Sequence, residues 1–131
     1  MSNQARKHHF IPAFYLAEWV GADGRVCQMK QVRPGTVAPI RKHPEATGFE
    51  PNLYRVEGLP PELEQAVEKE FMRPLDTEAS NAMRKIVKAD PRVWNDRERS
   101  AWTRFTLSLL YRHPDRVREL KAHARPVSRS L

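Results

Sequence analysis

Eleven prolines are spread over 131 residues, and each limits how far a helix or strand can run. Pro12 suits the first turn of a helix, where its missing N–H is no loss. Phe14, Tyr15, Leu16 and Trp19 follow at spacings that can share one face, and Gly21 lies beyond them. A short helix is therefore expected over 12–20, its aromatic face in the core. Ala22-Asp23-Gly24 and Pro34-Gly35 are turn signals. Between them residues 25–32 read as a strand, and 36–40 as a short partner that Pro39 confines to an edge. Residues 41–52, with His43-Pro44, Gly48 and Pro51, read as loop. Leu53-Tyr54-Arg55-Val56 alternates as a third strand would, until Gly58-Leu59-Pro60-Pro61 breaks it.

The remainder is helical in pattern. Leu63, Ala66, Val67 and Phe71 recur at helical period, and Pro74 is expected to stop or kink that helix. Asp76 or Thr77 can cap the next one, whose stripe is Leu75, Ala79, Ala82, Met83, Ile86 and Val87, ending at Asp90-Pro91. Asn95 and Glu98 have the spacing of a capping box. Trp102, Phe105, Leu109 and Leu110 then share a face in the most apolar helix, the expected centre of the fold. Pro114 breaks it, and a last, charged helix runs from Asp115 to Ala124. The whole reads as an α+β chain, mostly helical, with four or five helices and a small antiparallel hairpin or three-stranded sheet after the first helix. One compact domain is expected over 1–124, with 125–131 a frayed C-terminal tail.

Apolar residues are 40% of the chain and charged residues 30%, enough apolar mass for one core. No apolar run approaches the roughly 18 residues of a membrane span. The opening MSNQARKHHF lacks the apolar region of a signal peptide, so a cytoplasmic location is expected. Cys27 is the one cysteine, which excludes an internal disulfide and a multi-cysteine zinc site. Its apolar neighbours predict a buried, inert thiol.

The net charge of +7 is unevenly placed. Residues 1–43 carry seven Lys/Arg against two Asp/Glu, residues 44–90 six against ten, and residues 91–131 ten against four. Two basic ends thus flank an acidic middle. Arg97, Arg104, Arg112, Arg116, Arg118, Lys121 and Arg125 are the candidate contacts for nucleic acid or an acidic protein surface. Contact with about five phosphates would give a slope of log affinity against log salt near −4 to −5. The competing expectation is that the acidic middle packs beside the basic ends and neutralises them. Neither a Gly-rich phosphate loop nor a zinc finger, RRM signature or GxxG clamp is present.

The stretch Lys7-His8-His9-Phe10-Ile11-Pro12-Ala13-Phe14-Tyr15-Leu16-Ala17-Glu18-Trp19 resembles the opening of a bacterial family catalogued as domain of unknown function 4238. Leu53-Tyr54, Val67-Glu68-Lys69, Glu78-Ala79 and Leu110-Tyr111-Arg112-His113-Pro114-Asp115-Arg116 are similar to later family segments, so the resemblance spans roughly residues 7–118. It implies a shared N-terminal half. The resemblance also implies a second half with a Ser-Asp-x-Pro-like element in most family members, and that half is expected to be missing here. The resemblance implies no activity.

His8-His9 is the sharpest chemical feature. Neighbours in an extended segment point to opposite sides, so one imidazole at most faces a given pocket. Glu68 and Glu78 fall in the family-like segments, and with His8 or His9 they could bind Mg²⁺, Mn²⁺ or Zn²⁺ to activate water. The alternative is structural: one ring bonded to backbone, the other near a carboxylate, or a buried His8–Glu pair locking the N-terminus. Arg112-His113 reads as a helix cap, and His43 and His123 as solvated.

Three readings follow. The first is a non-enzymatic interaction module with no cofactor, engaging an anionic partner away from membranes, for example in a bacterial or phage conflict system. The second is a metal-dependent phosphodiester hydrolase, nuclease-like, with His8 or His9 catalytic and His8, His9, Glu68 and Glu78 as ligands. The third is a regulatory half-domain that forms a homodimer.

Overall fold

The structure, a computed structural model, describes residues 6–88 and 94–124. Four strands and five α-helices lie in this order among them: β1 (Lys7–His9), α1 (Ala13–Leu16), β2 (Val26–Arg33), β3 (Thr36–Lys42), β4 (Phe49–Pro51), α2 (Pro61–Glu64), α3 (Arg73–Val87), α4 (Asp96–Tyr111) and α5 (Pro114–His123). The chain is mostly helical and α+β. No described helix is long and apolar enough to cross a membrane.

The strands form two antiparallel pairs, β2–β3 and β1–β4. The hairpin is as the turn signals predict. The third strand is not: Leu53 and Tyr54 are buried in a turn, and the strand is Phe49–Pro51, which pairs with the opening motif. In that register His8 opposes Glu50 and His9 opposes Phe49. Gly48 closes the pair. Its φ of 67° suits glycine, and its carbonyl accepts from Phe10 and Ile11 N–H. A Cβ there would stand 2.9 Å from the Ile11 carbonyl oxygen.

Pro74 neither stops the helix nor starts a separate one. Residues Val67–Met72 form a π-helical turn that runs directly into α3, and Arg73 N–H donates to the Glu68 carbonyl five residues back. The wider turn accommodates a proline whose ring would clash with the Glu70 carbonyl in regular α geometry. Asp76 and Thr77 therefore lie inside the helix and cap nothing. The Asn95–Glu98 capping box forms in both directions. At Pro114 the break is real, and His113 serves as N-cap of α5, its Nδ1 accepting from Asp115 N–H at 3.3 Å.

The core lies where α3 and α4 meet. Leu75, Ala79 and Phe105 are buried there, with Phe14, Tyr15, Trp102 and Leu109 packed around them. Phe14 and Trp102 approach the Phe105 ring at centroid distances of 5.2 and 5.3 Å. The stripes do not stay buried along their whole length. Ile86, Val87, Leu110 and Trp19 are exposed. Cys27 is exposed on the outer face of the hairpin, which corrects the expectation of a buried thiol. The expected tail at 125–131 lies outside the described residues.

Candidate functional site

The doubled imidazole splits as an extended segment requires. His8 turns inward and is fully buried. Its Nδ1 accepts from Tyr54 N–H at 2.9 Å, and its ring stacks on Tyr54 at 5.3 Å, nearly parallel. The Tyr54 hydroxyl lies 3.2 Å from the His9 carbonyl and 3.3 Å from that of Arg112, either of which can accept its proton. Burial pushes the Tyr54 phenol above its ordinary pKa. Arg112 completes this hub. Its Nε donates to the Tyr54 oxygen at 3.4 Å, and Nη1 and Nη2 donate to the two oxygens of Asp76 at 2.8 and 3.0 Å. The leading segment is thus anchored through Tyr54.

His9 turns the other way, into a cleft of about 630 Å³ between β1 and α3. Glu68 reaches the same cleft from the π-turn, a feature that recurs at functional sites. His9 Nε2 and Glu68 Oε2 are buried atoms with no hydrogen-bond partner. Burial lowers the His9 pKa, partly offset by the Glu45 carboxylate and backbone. Burial also raises the Glu68 pKa, against the pull of Arg73. Both shifts act against the charged forms, of the imidazole and of the carboxylate. Lys7, Arg73 and Arg84 line the cleft as well, and none forms an ion pair among the described residues. Lys7 sits over the Phe49 ring at 5.0 Å, and Arg84 donates to Asn81 Oδ1 at 3.2 Å.

Two of the four expected metal ligands lie elsewhere. His8 is in the hub, and Glu78 is held by Arg97 and Arg104 at 2.9 and 3.0 Å, whose hydrogen bonds keep its carboxyl below the ordinary range. No group of three or more His, Cys, Asp or Glu side chains among the described residues could hold a metal ion.

Most of the expected anion contacts are also engaged by the chain itself. Arg97 and Arg104 share Glu78. Arg112 is 1% exposed and bound to Asp76, so it is not a surface cation. Arg118 meets Glu50 and Asp115, Arg116 meets Glu119, and Lys121 donates to the Leu53 carbonyl at 2.9 Å. Arg125 lies outside the described residues. Glu50, Asp76 and Glu78 all belong to the acidic middle, so the neutralising arrangement is the one observed for these arginines.

The pattern of a family described as protein of unknown function (DUF4238) matches residues 7–128. The chain belongs to that family. Its match takes in β1, the π-turn and α3 through α5, and so every residue of the cleft and of the hub. Neither a curated protein nor a solved structure matches the chain. Sequence reasoning missed Tyr54, Asp76, Arg73 and Arg84 as site residues. Leu53-Tyr54 reads as part of a strand and of the family resemblance, Asp76 as a helix cap, and Arg73 and Arg84 carry no local signal.

Proposed function

We propose that this DUF4238 chain is a small basic module that engages a phosphate-bearing partner through the cleft between β1 and α3. One observation supports the reading: Lys7, Arg73 and Arg84 line a single cleft and form no ion pair among the described residues, while Arg97, Arg104 and Arg118 of α4 and α5 do. Of the acidic groups in the cleft, Asp76 is already matched by Arg112, and Glu68 is biased towards its neutral form. Glu45 is left as the main competitor for the cations. Guanidinium and ammonium groups so arranged suit a doubly charged oxyanion.

The test is a thermal-shift titration with inorganic pyrophosphate at low salt. Binding raises Tm with ligand concentration. The rise is expected to vanish in R73Q/R84Q and to persist in R97Q/R104Q. The reverse pattern, or no rise in the unaltered chain, would remove the proposal.

A second reading, hydrolysis of a phosphodiester in the same cleft, is favoured by the unpartnered His9 Nε2 and Glu68 Oε2. A neutral imidazole and a protonated carboxyl form a base and acid pair. Release of nitrophenolate from bis(p-nitrophenyl) phosphate, lost in both H9A and E68A, would establish it. Turnover that survives either substitution would end it.

A further inference from the structure

The β2–β3 hairpin is a second surface, separate from the cleft. Residues 24–44 hold Arg25, Lys30, Arg33, Arg41 and Lys42 and no Asp or Glu. Among the described residues, only Arg41 of these forms an ion pair with a carboxylate, that of Asp23. Strand alternation gives the hairpin two different faces. Val26, Gln28, Ala38 and Ile40 turn towards the body at the root, where Thr47 donates to Gln28. Met29, Gln31 and Val37 point outward, with Met29 70% and Val37 61% exposed. Towards the tip, Lys30 and Arg33 are exposed as well.

An exposed apolar strand pair with open edges needs an occupant that explains its charge. A second copy of the chain would bring Arg25, Lys30, Arg33 and Lys42 against the same four cations, with no Asp or Glu within residues 24–44 of either copy, which opposes self-pairing. A polyanion removes that conflict. Seven or eight strand residues extend roughly 25 Å, and two strands lie about 4.8 Å apart, a ribbon that the roughly 12 Å major groove of B-form DNA admits. The narrow major groove of A-form RNA does not.

We propose that the β2–β3 ribbon is an arm that enters the major groove of duplex DNA. Lys30 and Arg33 contact phosphates, the Gln31 amide faces base edges, and Met29 and Val37 meet thymine methyl groups. This inference stands apart from the cleft reading, since it uses none of the same residues.

The experiment is fluorescence anisotropy of the full chain with a fluorescein-labelled DNA duplex of about 20 base pairs, repeated across salt concentrations. Substitution K30E/R33E, at exposed sites where the circular dichroism spectrum should not change, is expected to weaken binding at least about tenfold. It should also reduce the magnitude of the salt slope by about 2. Q31A is expected to relax discrimination between duplex sequences without changing the salt slope. The proposal is overturned if K30E/R33E binds within about twofold of the unaltered chain. It is equally overturned if an RNA duplex of the same sequence binds as tightly, or if light scattering shows a dimer that V37E abolishes while DNA affinity is untouched. Loss of DNA binding in R73Q/R84Q alone, with K30E/R33E unaffected, would overturn the arm and leave the cleft standing.

Discussion

The α4–α5 surface and the cleft below α3 are both rich in cations, yet they differ in what those cations meet. On α4 and α5, carboxylates from the acidic middle stand opposite Arg97, Arg104 and Arg118, and Asp76 holds the buried Arg112 between the two helices. In the cleft, Lys7, Arg73 and Arg84 have no such partner among the described residues. The denser run of arginine in the sequence is thus the more neutralised one in space. A count of charge along the chain measures what must be balanced, and only the partners show what is left over for another molecule.

The sharpest way to break this comparison is at Arg112, the one buried arginine among the described residues. Substitution R112M strands Asp76, and is expected to lower unfolding free energy by about 3–5 kcal/mol in urea titration. The double variant R112M/D76L should recover much of that loss, because it removes both charges together. A single-variant loss below about 1 kcal/mol would mean that the pair behaves like a surface one. Of equal size is F105A, which empties the contact of α3, α4 and the aromatic rings of Phe14 and Trp102, with an expected loss of about 3–5 kcal/mol.

The cleft can be sharpened through pH. His9 has a lowered pKa in the folded chain, so below its ordinary value of 6.5 the unfolded chain binds more protons, and stability falls as pH drops. Glu68 is raised above 4.5, so the folded chain binds more protons there, and its contribution weakens as pH rises from 4.5 through the raised value. E68Q should therefore raise Tm at pH 7 by a few degrees and change little at pH 4. A lower Tm at pH 7 would show that the ionised carboxylate is needed. The smallest effect is expected at Arg97, whose side chain is 81% exposed beside Glu78. R97A should cost at most about 0.5–1 kcal/mol, and less at high salt.

What could be read from the sequence was the local and the periodic. The Asn95–Glu98 box, the β2–β3 hairpin, the break at Pro114 and the core positions Leu75, Ala79 and Phe105 all follow from short-range rules. The β1–β4 pair was not legible, because three-residue strands some forty positions apart leave no periodic trace. Asp76 and Arg112 each looked like a helix-end or surface residue, and only the packing of α3 beside the end of α4 makes them partners. His9 and Glu68 were singled out, but with His8 and Glu78, whose own neighbours take them elsewhere. Arg73 and Arg84 lie on the outer side of an amphipathic helix, where sequence alone shows only solvent-facing charge.

The π-turn at Val67–Met72 holds one residue more than the α-geometry on either side would need, which amounts to about 100° of helical phase. With α3 pinned against α4, any change in that phase must be taken up by the segment before it. Deleting a single residue between 69 and 72 would rotate Glu68 away from His9 while every lining side chain kept its chemical identity. The acid–base character of the cleft thus depends on the length of this turn as well as on the residues that line it.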